Sequence, residues 1–282
     1  MIESGPPMEP PHDFSALIAT ERAALLDVLR SMSPADWAKP SPCPGWSVHD
    51  LVMHLVGTDV GVIARGRDNH YGTPGPDTTS EIAFEHFLDD LNHQWVVAMR
   101  RVSPRQAIDM LRSNGEELVE LYRNADPSIY DGHVAWASNR PLPRWFDQAR
   151  EFTERWVHHQ QILDAIEASS WIDADMTGVV LDTFKWAYLY RLGHLTRPAG
   201  VTAGVDITGE VERSWRWTSS GVGWAPSDEE PQTLVTMPTR TAWRLLTNGL
   251  DPREWPSPNP AGDTAIARTL LRTRAILGTP NG

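Results

Sequence analysis

Residues 47–56 read Ser-Val-His-Asp-Leu-Val-Met-His-Leu-Val and form a strong helix start. The Ser47 hydroxyl can accept a hydrogen bond from the first turn, and Asp50 completes a capping-box pattern at the positive helix end. The apolar residues that follow predict a helix that runs to about Arg67. His54 lies inside this apolar stretch, where a buried imidazole needs a partner.

The same helical spacing of apolar residues recurs before and after this stretch. It predicts helices from Phe14 to before Ser33, Ile82 to Val96, Ser103 to Leu121, Phe146 to Ile166 and about Ala174 to Leu195. Four or five long helices of this kind suit a helical bundle. The sequence therefore predicts a mainly α protein.

The pattern changes after His194, where polar and apolar residues begin to alternate between glycines as they do in strands. Strands are predicted at 200–209, 211–217 and 233–237, and helices at 240–248 and 264–277. We therefore expect three parts. They are a flexible arm at 1–13, a helical bundle at 14–197 and a small α+β C-terminal domain at 198–282.

The composition excludes several classes of protein. With 40% hydrophobic and 22% charged residues the chain is expected to be soluble and globular. A net charge of −12 would repel a polyphosphate, so nucleic acid is not an expected partner. No window approaches the roughly 18 uninterrupted apolar residues of a membrane helix.

Cysteine usage and the N-terminal residues predict a cytoplasmic protein. The single cysteine, Cys43, cannot form an internal disulfide. The first 14 residues lack both the basic start and the apolar stretch of a signal peptide. For Cys43 itself, packing in a rigid Pro-rich turn and a reactive thiol near a helix N-terminus are both open interpretations.

Glu154 and His158 are the first candidates for chemistry. Residues four apart on a helix project side by side, so these two side chains can reach one divalent ion. On spacing alone an ordinary surface pair is the preferred interpretation. The apolar neighbours Phe152 and Trp156 count against it, because a carboxylate that faces a core needs a partner or a metal. His54 is the candidate third ligand, and a hydrogen-bonded core histidine is its alternative.

Two stretches carry a resemblance to a known family. Residues 36–55 resemble the N-terminal signature of the mycothiol-dependent maleylpyruvate isomerase family, within the DinB-like superfamily, and residues 153–158 are similar to its second motif. The resemblance covers roughly residues 14–195. It implies a DinB-like four-helix bundle that binds zinc, or another divalent metal, through His54, Glu154 and His158. Gln161 departs from the pattern, because relatives commonly have Asp there.

The resemblance also implies an activity. It is a zinc-dependent enzyme that uses a low-molecular-weight thiol, most often mycothiol, as cosubstrate for cis-trans isomerisation or thiol S-transfer. Two alternatives stay open, a metal-dependent hydrolase and a noncatalytic metal-binding stress or binding protein. The expected partners are a small-molecule substrate and the thiol, with the chain as a monomer or homodimer.

An acidic chain that binds an anionic substrate or thiolate must concentrate positive potential at its site. We expect Arg150 and Arg244 to assist catalysis, and Arg240 and Trp156 to bind the thiol. Many relatives carry a Gly-Arg pair in the C-terminal domain that is missing at residues 245–250 here. Arg155 lies about 100° around the helix from Glu154 and is expected to be a solvated surface residue.

Overall fold

The computed structural model describes residues 6–72, 81–168, 173–259 and 262–276. It confirms a mainly α protein with a smaller α+β part. The helices are α1 (Phe14–Ser31), α2 (Pro34–Trp37), α3 (Val48–Asp68), α4 (Glu81–Met99), α5 (Pro104–Asn124), α6 (Arg144–Ala165), α7 (Ala174–Leu192), α8 (Thr239–Leu246) and α9 (Thr264–Arg272). The strands are β1 (Tyr130–Gly132), β2 (Leu142–Pro143), β3 (Thr202–Thr208), β4 (Arg213–Ser219), β5 (Trp224–Pro226) and β6 (Thr233–Pro238).

The predicted capping box at the start of α3 is confirmed. The Ser47 hydroxyl accepts the backbone N–H of Asp50, and the Asp50 carboxylate accepts the backbone N–H of Ser47. Arg100 also binds Asp50, at 2.9 and 3.0 Å. These contacts fix the first turn of α3, and with it the direction in which the helix continues to His54.

The chain divides into two compact units, which we name the bundle unit and the sheet unit. The bundle unit holds residues 11–126 and 151–168, and the sheet unit holds residues 6–10, 127–150 and 173–276. The division falls within α6, between Arg150 and Glu151.

In the bundle unit, α5 packs against both α1 and α3, and α4 packs against α3. The shared core is apolar and almost completely buried, as expected for amphipathic helices that turn one face inward. Its members include Leu25, Leu29, Leu51, Val52, Leu55, Val56, Leu111 and Ile162. Ile162 lies on α6, and this core therefore holds the second half of α6 beside α3.

The sheet unit contains a four-stranded sheet in the order β5-β4-β3-β6. β3 pairs antiparallel with β4, where Val205 lies opposite Trp215, and parallel with β6, where Val205 lies opposite Val235. The three predicted strands are thus confirmed, and β5 was missed because it has only three residues. The predicted helices at 240–248 and 264–277 correspond to α8 and α9, and residue 277 lies outside the described residues.

The unit limits differ from the predicted boundary near residue 197. Helix α7 packs against α8, α9 and β5, so it groups with the sheet rather than with the bundle. Most of its residues are buried on all sides, which leaves no polar stripe to show where it packs. Folding of residues 198–282 as a separate domain stays a prediction.

Part of the predicted N-terminal arm makes contacts. Pro6 is buried, and the Pro7 carbonyl accepts a hydrogen bond of 2.9 Å from Trp145 Nε1. Asp13 caps α1 by accepting the backbone N–H of Ala16. The described residues of the arm, 6–13, are therefore tied to the fold at both ends.

Candidate metal centre

His54 lies on α3, in the interior of the bundle unit. The residue is 7% exposed, and its ring lies 5.2 Å from the Trp46 ring, measured between centroids. Trp46 stands just before the Ser47 cap and is half-buried. Sequence reasoning used Trp46 only as part of a motif, whereas the structure places it against a candidate ligand.

Glu154 and His158 lie on α6 and contact His54. The Glu154 Oε1 atom lies 3.1 Å from His54 Nε2 and 3.1 Å from His158 Nε2. The two imidazole rings are 4.8 Å apart and nearly perpendicular. The predicted trio is thus brought together by two helices that are 100 residues apart in sequence.

Gln161 and Cys43 determine which nitrogen of His158 faces Glu154. The His158 Nδ1 atom lies 2.7 Å from Gln161 Oε1, which also accepts the Cys43 thiol at 3.3 Å. An amide oxygen can only accept, so Nδ1 carries a proton and Nε2 points to the site. Gln161 therefore supplies the acceptor that a carboxylate supplies in other metal sites.

The three side chains differ in charge at neutral pH. Burial alone would raise the pKa of Glu154, but His158 and the hydrogen bonds from both imidazoles hold it well below its usual range. Burial alone would lower the pKa of His158, but Glu154 and Cys43 outweigh burial and raise it to about 10. Burial dominates at His54 and lowers its pKa. The site thus contains a carboxylate, an imidazolium and a neutral imidazole.

The donor set suits a divalent metal ion. The three ligand atoms all lie within 4.8 Å of one another, and the described residues contain no second such cluster of His, Cys, Asp and Glu. Two ligand atoms bound to a tetrahedral zinc ion are roughly 3.3 Å apart, close to the 3.1 Å contacts seen here. Glu154 keeps 27% of its side chain exposed, against 9% for His54, so the cluster is partly exposed to solvent at Glu154.

The expectation for Arg155 was wrong. Its side chain is 0% exposed and binds Asp59 and Glu151. Angular position on a helix predicts which residues share a face, but it does not show which other faces are also covered. Because α6 runs among other helices of the bundle unit, the face beside the ligands is buried as well.

The other predicted residues do not lie in this cluster. Arg150 pairs with Asp147 at 3.1 Å, Arg240 pairs with Glu210 at 3.1 Å, and Arg244 lies 5.0 Å from the Trp243 ring centroid. All three arginines belong to the sheet unit, and their roles stay predictions.

Trp156 lies on α6 between two candidate ligands, but its side chain is completely buried. It presents no surface to a ligand in this conformation. Its proposed contact with a thiol stays a prediction, whereas the half-buried Trp46 packs against His54.

Comparison with known proteins assigns a family to the part of the chain that holds this cluster. A family model described as the mycothiol maleylpyruvate isomerase N-terminal domain matches residues 18–163, more than half of the chain. The chain belongs to this family. All three candidate ligands, together with Gln161 and Cys43, lie within the matched domain.

Individual proteins also resemble this chain, two in sequence and two in fold. Two uncharacterized proteins of Mycobacterium tuberculosis, MT0041 and Rv0036c, are each 26% identical over 199 residues, covering 69% of this chain and 73% of theirs. Crystal structures of the mycothiol-dependent maleylpyruvate isomerase and of a point mutant match with a TM-score of 0.54. The match covers 92% of this chain and 95% of each isomerase chain at 13% identity. It shows that this chain shares the fold of the isomerase.

No helix in the described parts of this family member combines the length and the apolar character needed to cross a bilayer.

The ligand set predicts that the purified protein binds about one zinc ion per chain. His54→Ala, Glu154→Ala and His158→Ala should each lose most of the metal, because each removes one of three donors. His49→Ala is the matched control, since His49 lies on α3 but contacts the Val102 carbonyl. Metal content is measured by mass spectrometry and folding by circular dichroism. Equal zinc in all four folded variants would contradict the assignment.

The pKa values predict that zinc binding releases about one proton per chain at pH 8. His158, with a pKa raised to about 10, is protonated at this pH and must lose its proton to bind metal. His54 and Glu154, both with lowered pKa, have no proton to give up. Zinc affinity should accordingly rise with pH up to about 10. Calorimetry in buffers of different ionisation enthalpy measures the proton, and a buffer-independent enthalpy would count against this protonation state.

Proposed function

We propose that this protein is a metal-dependent enzyme that uses a low-molecular-weight thiol, mycothiol, as cosubstrate. The observation that carries the proposal is the His54–Glu154–His158 cluster inside a mycothiol maleylpyruvate isomerase N-terminal domain. The likeness to the solved isomerase extends over 92% of the chain, so the residues outside the matched domain follow the same fold. A cytoplasmic location fits a thiol cosubstrate and stays part of the proposal.

The donor set suits a thiol as exogenous ligand. A zinc ion held by His54, Glu154 and His158 would leave room for a thiol and would favour its deprotonation. Two neutral imidazoles and one carboxylate would leave such a centre with one net positive charge, which favours an anionic sulfur. The partly exposed side of Glu154 gives the thiol a path to the cluster.

The surrounding residues orient the donors. Gln161 holds His158 through Nδ1, and the packing of Trp46 against His54 limits rotation of that ring. Neutral Gln161 polarises His158 less than a carboxylate would, so a metal ion bound by His158 would keep more of its positive charge. We infer that this increases the acidity of a bound thiol in this protein.

Two reactions use a thiol in this way. In isomerisation the thiol adds to a cis double bond, the new single bond rotates, and loss of the thiol leaves the trans product. In S-transfer the new carbon–sulfur bond remains, so one thiol is consumed for each product. The consumption of thiol therefore separates the two reactions, and maleylpyruvate is the first substrate to test.

We expect turnover of maleylpyruvate to require both mycothiol and metal. The rate is followed by the change in substrate absorbance, with free thiol measured in parallel. His49→Ala should retain turnover, whereas Glu154→Ala should lose it together with the metal. Unchanged thiol indicates isomerisation, and stoichiometric loss indicates transfer.

Other outcomes would contradict the proposal. Turnover that proceeds at the same rate without thiol would favour a metal-dependent hydrolase. A metal-loaded protein that binds thiol but transforms neither maleylpyruvate nor simple electrophiles would favour a noncatalytic binding protein.

If the substrate is a carboxylate, Arg150, Arg240 and Arg244 remain the proposed clamps. A charge-assisted hydrogen bond contributes roughly 1.5 to 3 kcal/mol, so Ala at each position should weaken substrate binding by about tenfold to a hundredfold. Zinc content should not change. Arg253→Ala is the control, because Arg253 is exposed and pairs with Asp251. Apparent substrate affinity is measured at fixed salt. Equal affinities in all four variants would contradict the role of the three arginines in substrate binding.

A further inference from the structure

Helix α6 carries a second row of polar residues beside the candidate ligands. Glu151, Arg155 and His159 are spaced four residues apart, so they form one stripe along the helix. The stripe adjoins the ligand pair Glu154 and His158, and its three residues are at most 1% exposed. Charged and polar side chains buried to this extent need partners.

Arg155 joins this stripe to α3. Its Nη2 atom donates to Asp59 Oδ1 at 2.6 Å, and its Nη1 atom donates to Glu151 Oε2 at 2.5 Å. Asp59 stands five residues after His54 on α3, and Arg155 directly follows Glu154 on α6. The ion pair therefore links the same two helices that the ligand contact between His54 and Glu154 links.

Asp59 is also bound from the opposite side. Arg22 of α1 donates to both Asp59 oxygens, at 2.8 and 3.0 Å, and to the Leu111 carbonyl of α5 at 2.5 Å. The adjacent residue on α1, Glu21, lies 3.0 Å from His159 Nδ1. One buried network thus contacts α1, α3, α5 and α6.

The charges of this network restrict how the helices can pack. The guanidinium groups of Arg22 and Arg155 lie against the carboxylates of Asp59 and Glu151. A shift of α6 along α3 by one residue, about 1.5 Å, would separate Arg155 from Asp59 and leave buried charges without partners. The apolar core alone tolerates such a shift more easily, because dispersion contacts are not directional.

We propose that Arg155 and Asp59 are positioning residues of the metal centre. Their ion pair holds α6 in the register in which Glu154 and His158 face His54. The inference rests on the proposed metal site and assigns a role to residues that do not themselves contact the metal.

The experiment compares two arginines that share one partner. Arg155→Met breaks the link between α3 and α6, whereas Arg22→Met breaks the link from α1 to the same Asp59 and leaves α6 attached. Zinc affinity is measured by competition with a chromophoric chelator, using Zn²⁺ alone. We expect Arg155→Met to bind about 10- to 100-fold more weakly, the range found when outer partners of metal ligands are removed. Arg22→Met should stay close to wild type.

Both substitutions remove a buried ion-pair partner and can therefore lower the stability of the fold. The thermal unfolding temperature of each metal-free variant measures this effect separately from zinc affinity. Arg155→Lys is the milder variant if Arg155→Met does not fold. One ammonium group cannot reproduce the fork that holds Asp59 and Glu151 together, so an intermediate loss of affinity is expected. The absorption spectrum of the Co²⁺-loaded protein reports the ligand arrangement. It should change in Arg155→Lys and not in Arg22→Met.

Wild-type zinc affinity and an unchanged Co²⁺ spectrum in Arg155→Lys would overturn the positioning role. Equal losses of affinity in the Arg22 and Arg155 variants would also overturn it, because they would indicate general destabilisation. A wild-type protein that binds no zinc would instead overturn the proposed function, so the two failures are distinguishable.

Discussion

Pairing of buried charge is the constraint on which the bundle unit depends. Asp59 is completely buried and lies between Arg22 of α1 and Arg155 of α6. Breaking a buried ion pair by removal of one partner costs about 3 to 5 kcal/mol, a large part of the stability of an ordinary domain. Burying these charges also costs desolvation free energy, which offsets most of their attraction, so the network contributes little net stability. It does strongly disfavour packings that leave a charge unpaired.

The candidate metal centre also joins α3 and α6, through the face of α6 that lies beside Arg155. Here the charges are arranged differently, because Glu154 is shared by two imidazoles and remains partly open to solvent. Gln161 and Cys43 complete the arrangement from the far side of His158. One face of α6 is thus closed and holds paired charges, while the adjacent face is partly exposed at Glu154.

Local signals account for most of the fold that could be predicted. The capping pattern predicted at Ser47 acts within one turn of the chain and is present as a complete capping box. The structure has complete capping boxes at Ser33 and Ser103 as well. The spacing of apolar residues located the helices because it too is a local signal, repeated from turn to turn. It could not assign α7 to a unit, because a helix buried on nearly all sides has no periodic stripe. Strand β5 has too few residues to show alternation.

By itself, the sequence determined the types of the candidate ligands. They are a Glu and a His at helical spacing and a His within an apolar helix, joined into one candidate site by resemblance to a family. Only the tertiary structure decided the roles of their neighbours. Arg155 became a buried link and Gln161 a hydrogen-bond acceptor for His158. The physical reason is that a helix fixes the directions of its own side chains, whereas the environment each one meets is set by residues distant in the chain, here Asp59 and Cys43.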